Sequence, residues 1–233
     1  MALAFATPAA PTHVRGLSKA VMVYEDLRAA IVGLTLEPGA RIDKNEVCAK
    51  LRVSRQPVTE ALSRLVEERL VEVEPQKGTF VARIRLSDIA EAAFVRRALE
   101  VATVYNIAPQ IDEATLERLD RNLGYQAAAL GTQDWDEFYA LDVRFHTMLF
   151  ERLAMRRIAE AVESTRAQVE RTRRLMLPAP GRAPNTYREH RAIVAALKTR
   201  DSHKAAAAMA NHLDAVMVEL KKFAARHPNL FEP

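Results

Sequence analysis

The sequence predicts a mainly α protein in two parts, a small helical module closed by a β-hairpin and then an all-helical bundle. Three observations carry this expectation. Glycine is scarce (7 of 233 residues) and aromatic residues make up 6%, a balance that favours helices over a sandwich or barrel. Apolar residues recur at helical spacing along most of the chain, and strict alternation is confined to a stretch near residues 70–84. At 49% hydrophobic and 27% charged, the chain has the composition of folded domains. No apolar run approaches the roughly 18 residues of a membrane span, so no membrane partner is expected. The single cysteine, Cys48, excludes an internal disulfide and a four-thiolate zinc site, and its helical setting reads as a buried, inert thiol.

Residues 1–17 lack a basic stretch ahead of their apolar start and are broken by Pro8 and Pro11, so they read as a flexible tail rather than a secretory signal, and the compartment expected is the cytoplasm. Val21, Val23, Tyr24, Leu27, Ile31 and Leu34 then give a first helix its apolar face. Glu37-Pro38-Gly39 is a turn. A second helix opens at Asp43, which forms a capping-box pattern with Glu46 and buries Val47, Cys48 and Leu51. The third follows Ser54 as N-cap, with Pro57 in its first turn, where a missing amide costs nothing. Val58, Ala61, Leu62, Leu65 and Val66 face its core side. Residues 70–74 alternate like a strand, Pro75–Gly78 turns, and residues 79–84 return.

Three helices and a hairpin over residues 18–86 make a winged helix-turn-helix pattern. In that arrangement the third helix enters the DNA major groove, and its N-terminal residues reach base edges. Arg55 suits a bidentate bond to guanine and Gln56 suits adenine, while Ser54 at the helix start suits a phosphate. Lys77 at the hairpin tip is placed for a neighbouring phosphate or the minor groove. The same residues would also serve as solvated charges on a small domain with no DNA.

The stretches LRAAIVGLTLEPGARI, VSRQPVTEAL and EERLVEVEPQKGTFV resemble the DNA-binding domain of GntR-family bacterial transcription regulators over about sixty residues, Tyr24 to Val81. The resemblance implies that Arg55, Gln56, Lys77 and Gly78 stand at DNA-contacting positions. Two positions depart from the family pattern. Thr59 replaces an arginine, which removes a basic contact, and Lys44 replaces a glutamate at the start of the second helix, where it can offer a compensating phosphate contact.

From residue 87 to 227 the pattern is helical throughout, with no strand expected. Candidate helices run over 87–108, 112–130, 134–153, 156–177, 185–199 and 201–226, and Asp112, Asp134 and Asp201 suit N-caps. Residues 178–184 read as a loop and 228–233 as a C-terminal tail. Six helices of this length can bury an ample bundle core.

Asp142 and His146 share one helix face at i, i+4. A hairpin turning at Arg200-Asp201 would bring His190 and His212 to similar heights on neighbouring helices. Three imidazoles and a carboxylate suit Zn²⁺ or another first-row divalent ion, although two interfacial histidines and an ion pair would fit the same spacing. His13, His203 and His227 have no such company and read as surface residues.

Arg96-x-x-Leu99-Glu100, Asp142-x-x-x-His146, Glu189-His190 and His212 also resemble the FCD ligand-binding domain of the FadR subgroup of these regulators. The resemblance implies a helical bundle holding a divalent metal through Asp142, His146, His190 and His212; with these donors Zn²⁺ is the ion expected, and Ni²⁺ or Mn²⁺ the alternatives. It also implies a small carboxylate effector paired with Arg96. Met155 stands where many relatives carry asparagine. Of the cluster Arg171, Arg173 and Arg174, Arg174 is a candidate second anion contact, set against a solvated face or a dimer contact.

The function expected is therefore a dimeric regulator that reads an inverted repeat and is released as a repressor by a metabolite. The rival is a metal-dependent hydrolase with an accessory DNA-binding domain, and a structural zinc site is a third reading. The rival lacks an H-E-x-x-H motif, paired E-x-x-H motifs and a carboxylate clearly placed as general base. Net charge is +4, and residues 1–86, with 13 basic and 10 acidic side chains, hold +3 of it. A surplus that small points to a few positioned DNA contacts rather than bulk attraction.

Overall fold

The structure, a computed structural model, describes residues 18–153, 155 and 166–232, with the backbone alone at 166–168. The expected tail 1–17, His13 and part of the expected helix 156–177 lie outside the described residues. The chain divides into two compact units, one of residues up to Leu86 with the segment from His227 onward, the other Ser87–Arg226.

In the first unit, helix α1 (Lys19–Val32) begins where the Ser18 hydroxyl accepts from the Val21 amide at 3.3 Å. It buries Val23, Leu27 and Ile31 against α3 (Arg55–Glu67). Arg64 on α3 lies over the Tyr24 ring at 3.7 Å, adding a cation–π contact to this packing. Between them, α2 (Lys44–Leu51) starts at Asp43, whose Oδ1 accepts from the amides of Asn45 (2.7 Å) and Glu46 (3.3 Å). The α3 core face consists of Val58, Ala61, Leu62 and Leu65.

The hairpin is present as β2 (Val71–Glu74) and β3 (Gly78–Val81), antiparallel in the register Val71↔Val81 and Glu74↔Gly78. A strand not foreseen, β1 (Arg41–Ile42), adds to the other edge of β3, so the sheet order is β1-β3-β2. At φ +137°, Gly78 holds a conformation that L side chains rarely adopt, and a Cβ there would press on the Arg41 side chain at 3.4 Å.

Several local expectations are corrected. Val66 is 39% exposed, because at the end of α3 its position has drifted off the core stripe. Cys48 is half-buried rather than enclosed, since Val47 takes the inner position of the short α2. Ser54 occupies the N-cap position of α3 but makes no side-chain cap hydrogen bond. The return strand stops at Val81, and β4 (Ile84–Arg85) pairs instead with β5 (Phe231–Glu232), in parallel. The segment expected as a tail thus contains a 3₁₀ turn (Pro228–Leu230) and a strand, with Phe231 buried and Arg85 bonded to Glu232.

The second unit is the expected bundle. Its described helices are α4 (Leu86–Ile107), α5 (Glu113–Thr132), α6 (Trp135–Leu153), α7 (Arg166–Met176), α8 (Arg182–Lys198) and α9 (Ser202–Arg226). All three predicted aspartates cap: Asp112 accepts from Thr115 N (2.7 Å), Asp134 from Glu137 N (3.0 Å) and Asp201 from His203 N (2.9 Å). The loop expected over 178–184 is shorter, because Pro184 is accommodated in the first turn of α8. Leu119, Phe145, Leu149, Ile193, Leu197 and Met209 centre the main core.

Candidate metal centre and nucleic-acid face

Each bundle helix carries polar residues inside a stripe that is otherwise apolar. On α4 these are Arg96, Glu100 and Thr103; on α5, Asn122 and Gln126; on α6, Asp142 and His146; on α7, Arg171, Thr172 and Arg173; on α8, Thr186 and His190; on α9, His212. Burying so many polar groups is costly unless they satisfy one another or hold a ligand.

The three histidines converge. Ring centroids are 4.7 Å apart for His190 and His212, 5.3 Å for His146 and His212, and 5.4 Å for His146 and His190. One ring nitrogen from each lies within 4.8 Å of the others. Phe145 stacks on His190 at 4.3 Å and fixes its ring plane.

A relay of amides sets the His190 tautomer. The Leu141 carbonyl can only accept, so Asn122 presents Nδ2 to it (3.1 Å) and Oδ1 to Gln126 Nε2 (2.7 Å). Gln126 Oε1 therefore faces His190 Nδ1 (2.9 Å), which must donate, and the lone pair is left on Nε2. On His212 the Glu189 carboxylate does the same, accepting from Nδ1 at 2.8 Å. Burial, followed by the neighbouring charges, holds both rings well below the ordinary histidine pKa, so they are neutral at pH 7. Nε2 of His146, His190 and His212 is buried without a hydrogen-bond partner among the described residues, and so is Asp142 Oδ2. Outward-held Nδ1 atoms with bare inward Nε2 atoms are what a metal-binding histidine set requires.

Asp142 lies beside the triad, its Oδ1 3.5 Å from His190 Nε2 and also paired with Arg173. Burial alone would raise its pKa, yet Arg173 and the histidines outweigh that and lower it. Glu100 behaves alike. Its Oε2 is 2.5 Å from His146 Nδ1 and its Oε1 accepts from Arg96 Nε (2.7 Å), so despite burial its carboxyl is held far below the usual range.

Two expected anion contacts are placed differently. Arg96 is buried and already bonded to Glu100 through Nε and Nη2, leaving Nη1 with no partner among the described residues. Arg174 points away from the histidines. It pairs with Asp136 (2.5 Å) and Glu170 (3.4 Å) and covers Tyr139 at 4.4 Å. Its neighbours Arg171 and Arg173 are the buried arginines of α7, together with Val169, Thr172 and Met176, and Arg173 is the one paired with Asp142. Gln126 belongs to no motif in the sequence, Glu189 stands there only as the neighbour of His190, and Arg173 only as part of a basic cluster expected on a solvated face or at a dimer contact; the available signal was a polar residue standing in a helix's apolar stripe. Of the histidines expected at the surface, His203 is exposed and meets the Tyr105 edge at 5.3 Å, and His227 is exposed.

On the first unit, Lys44, Ser54, Arg55, Gln56 and Thr59 are all exposed. Arg55 Nη2 donates to Asn45 Oδ1 (2.8 Å), which brings the starts of α2 and α3 together. Gln56 donates to Glu60 (3.1 Å), and the Thr59 hydroxyl donates back to the Arg55 carbonyl (3.0 Å). Lys77 is 75% exposed at the hairpin tip and pairs with Glu74 at 2.8 Å. These are reversible surface contacts that a nucleic acid can replace.

Comparison with known proteins agrees with both halves. Residues 19–81 match the family described as bacterial regulatory proteins, gntR family, and residues 91–215 match the FCD domain. The HTH-type transcriptional repressor RspR of Escherichia coli (strain K12) is 30% identical over 90% of this chain and 92% of its own length. An HTH-type transcriptional regulator from an unstable DNA locus of Streptomyces ambofaciens is 34% identical over 90% of this chain and 88% of its own. A GntR transcriptional regulator structure from Rhodococcus sp. RHA1 superposes with a TM-score of 0.76 at 28% identity, covering 88% of this chain and 99% of that one. E. coli McbR/YncC, at 22% identity and a TM-score of 0.72, shares the fold. Nothing among these supports the hydrolase reading. No helix among the described residues is long and apolar enough to cross a membrane. The chain belongs to the GntR family, as a transcription regulator with a winged helix-turn-helix for DNA and an FCD domain for a ligand, and it is not an enzyme.

Proposed function

We propose that the chain is a homodimeric repressor that leaves an inverted-repeat operator when a small carboxylate binds its metal-containing bundle. The observation that carries this reading is the trio of buried, unpartnered Nε2 atoms on His146, His190 and His212, with Asp142 Oδ2 beside them. Three imidazole nitrogens and one carboxylate oxygen fit Zn²⁺ first, and Ni²⁺ or Mn²⁺ by the same donors. When bound, such an ion supplies a Lewis-acidic centre with room for a carboxylate oxygen.

The chain's own residues do the rest. Gln126 and Glu189 hold the rings of His190 and His212 in the donor tautomer. The pairs Arg96–Glu100 and Arg173–Asp142 each balance to zero, so a divalent cation among the histidines leaves an excess of positive charge that an anion neutralises. Arg96 Nη1 is the open donor for it, and Arg174 is left to its surface pairs.

At the other unit, Arg55 and Gln56 read base edges, and Lys44 and Ser54 take phosphates. Thr59 supplies no charge, and Lys77-Gly78 reaches the adjacent groove. Each protomer reads one half-site. The effector weakens operator binding only by its differential affinity for the two arrangements of the dimer.

The test is a thermal-shift screen of small carboxylic acids with and without added Zn²⁺, paired with elemental analysis of His190→Ala. A native-state ligand raises Tm by mass action. Metal bound equally by wild type and His190→Ala would remove the site, and an acid that is turned over would restore the enzyme reading.

A further inference from the structure

The outer face of α3 carries one group that charge does not explain. From the start of the helix to Ser63 the exposed residues are Arg55, Gln56, Thr59, Glu60 and Ser63. Four of these end in polar or charged groups, and Thr59 alone adds a methyl.

The hydroxyl of Thr59 is committed to its own helix. It gives its one proton to the Arg55 carbonyl at 3.0 Å, and the Ser63 hydroxyl does the same to the Thr59 carbonyl at 3.1 Å. Bonded in this way, neither hydroxyl is a donor for guanine O6 or N7 or for thymine O4. Threonine is branched at Cβ, so once Oγ1 is turned back to the helix the γ-methyl has a fixed place and is the group left for an outside contact. The long side chains one turn before it are also ordered, Arg55 by Asn45 at 2.8 Å and Gln56 by Glu60 at 3.1 Å. A methyl held in advance loses little entropy when it is covered. In the DNA major groove thymine is the base that presents a methyl, and apolar contact with it discriminates that base.

We propose that Thr59 is a specificity-determining residue whose γ-methyl packs on the 5-methyl group of a thymine in each operator half-site. This rests on the reading of α3 as the base-reading helix and assigns one further position to it. Thr59 stands four residues after Arg55, about 6 Å along the helix axis, which is about two base-pair steps of 3.4 Å. The thymine is therefore expected within about two base pairs of the guanine that meets Arg55. Covering one methyl is worth about fourfold in affinity. The contact involves no charge, so that factor is expected to be the same at about 50 and 200 mM salt, while overall affinity falls.

The test removes one methyl at a time from each side of the contact. The full-length protein selects its operator from a random pool, and deoxyuridine then replaces each thymine of one half-site in turn, deleting only the 5-methyl group. In anisotropy titrations the wild type is expected to lose about fourfold at one position. Thr59→Ser keeps the hydroxyl and its bond to the Arg55 carbonyl. It is expected to bind the unmodified operator more weakly and to be indifferent to deoxyuridine at that position. Thr59→Val keeps the methyl and is expected to stay sensitive. Thr59→Ala, in the best helix-forming residue, replaces the serine variant if that one does not fold. Wild-type binding unchanged by deoxyuridine at every thymine overturns this inference alone, as does a methyl-deleted variant as sensitive as wild type. Failure of the protein to enrich any sequence, or specific affinity unchanged in Arg55→Ala, overturns the reading of α3 itself.

Discussion

Replacing Gln126 by leucine removes the acceptor that fixes His190 while nearly preserving volume. Gln126 is fully buried, and both ends of its amide are used, Nε2 on Asn122 and Oε1 on His190. In Gln126→Leu, Asn122 Oδ1 and His190 Nδ1–H lose their partners together. Each stranded buried group costs about 1–3 kcal/mol, so the metal-free protein should lose on the order of 2–6 kcal/mol. Metal affinity suffers separately. With Nδ1 no longer held as the donor, the ring divides between tautomers, and losing such a support typically weakens a metal site about 10- to 100-fold. The assay is competition for Zn²⁺ against a chromogenic chelator, alongside urea denaturation with and without the ion. Gln126→Glu keeps an acceptor for His190 and gives up the donor to Asn122, so it should retain more affinity for metal than its stability would suggest. Wild-type zinc affinity in Gln126→Leu would refute the claim that the Leu141–Asn122–Gln126 relay orients a ligand.

Other consequences reach the rest of the molecule. Arg55→Ala should weaken specific DNA by about 5- to 150-fold in anisotropy titrations, the value of one bidentate base contact, and leave Tm nearly unchanged because the side chain is exposed. Equal weakening for specific and random DNA would demote Arg55 to a phosphate contact. Phe231→Ala should cost about 3 kcal/mol and raise amide exchange around Ile84 before exchange in α5, since β5 pairs with β4; unchanged exchange there would make β5 a bystander. Asp112 caps α5, and its bonds to the Thr115 hydroxyl and amide lower its pKa below 3.8. The cap's contribution is therefore present above that pH and lost as pH falls through the depressed folded value. Asp112→Ala should be less stable than wild type at pH 7 and should converge with it near pH 2, as followed by circular dichroism.

The sequence revealed whatever is governed by local periodicity and capping. The Asp43, Asp112, Asp134 and Asp201 caps, the α3 core stripe and the β2–β3 hairpin all follow from neighbours within a few residues. The convergence of His190 with His212 was legible for the same reason, because a short turn at Arg200-Asp201 fixes the height of both. What was missed depends on partners far along the chain. β5 pairs with β4 across almost 150 residues, and a two-residue strand has no periodicity of its own. Arg173 and Arg174 are adjacent, and only the packing of α7 decides which faces Asp142. Gln126 looked like any helix-surface amide until α8 supplied a histidine. Arg96 was found by resemblance, but its bond to Glu100, which leaves a single open donor, required the folded bundle.

The central claim is that an acid held in the histidine-lined bundle controls DNA affinity. The measurement closest to it is fluorescence anisotropy of operator DNA, selected from a random pool by the protein itself, as a small carboxylic acid that raises Tm in the thermal-shift screen is added with Zn²⁺ present. Operator Kd is expected to rise at least about fivefold in wild type, the lower bound of a typical coupling energy, and to stay unchanged in His190→Ala. An acid that binds the wild-type bundle yet leaves operator affinity unaltered would contradict it.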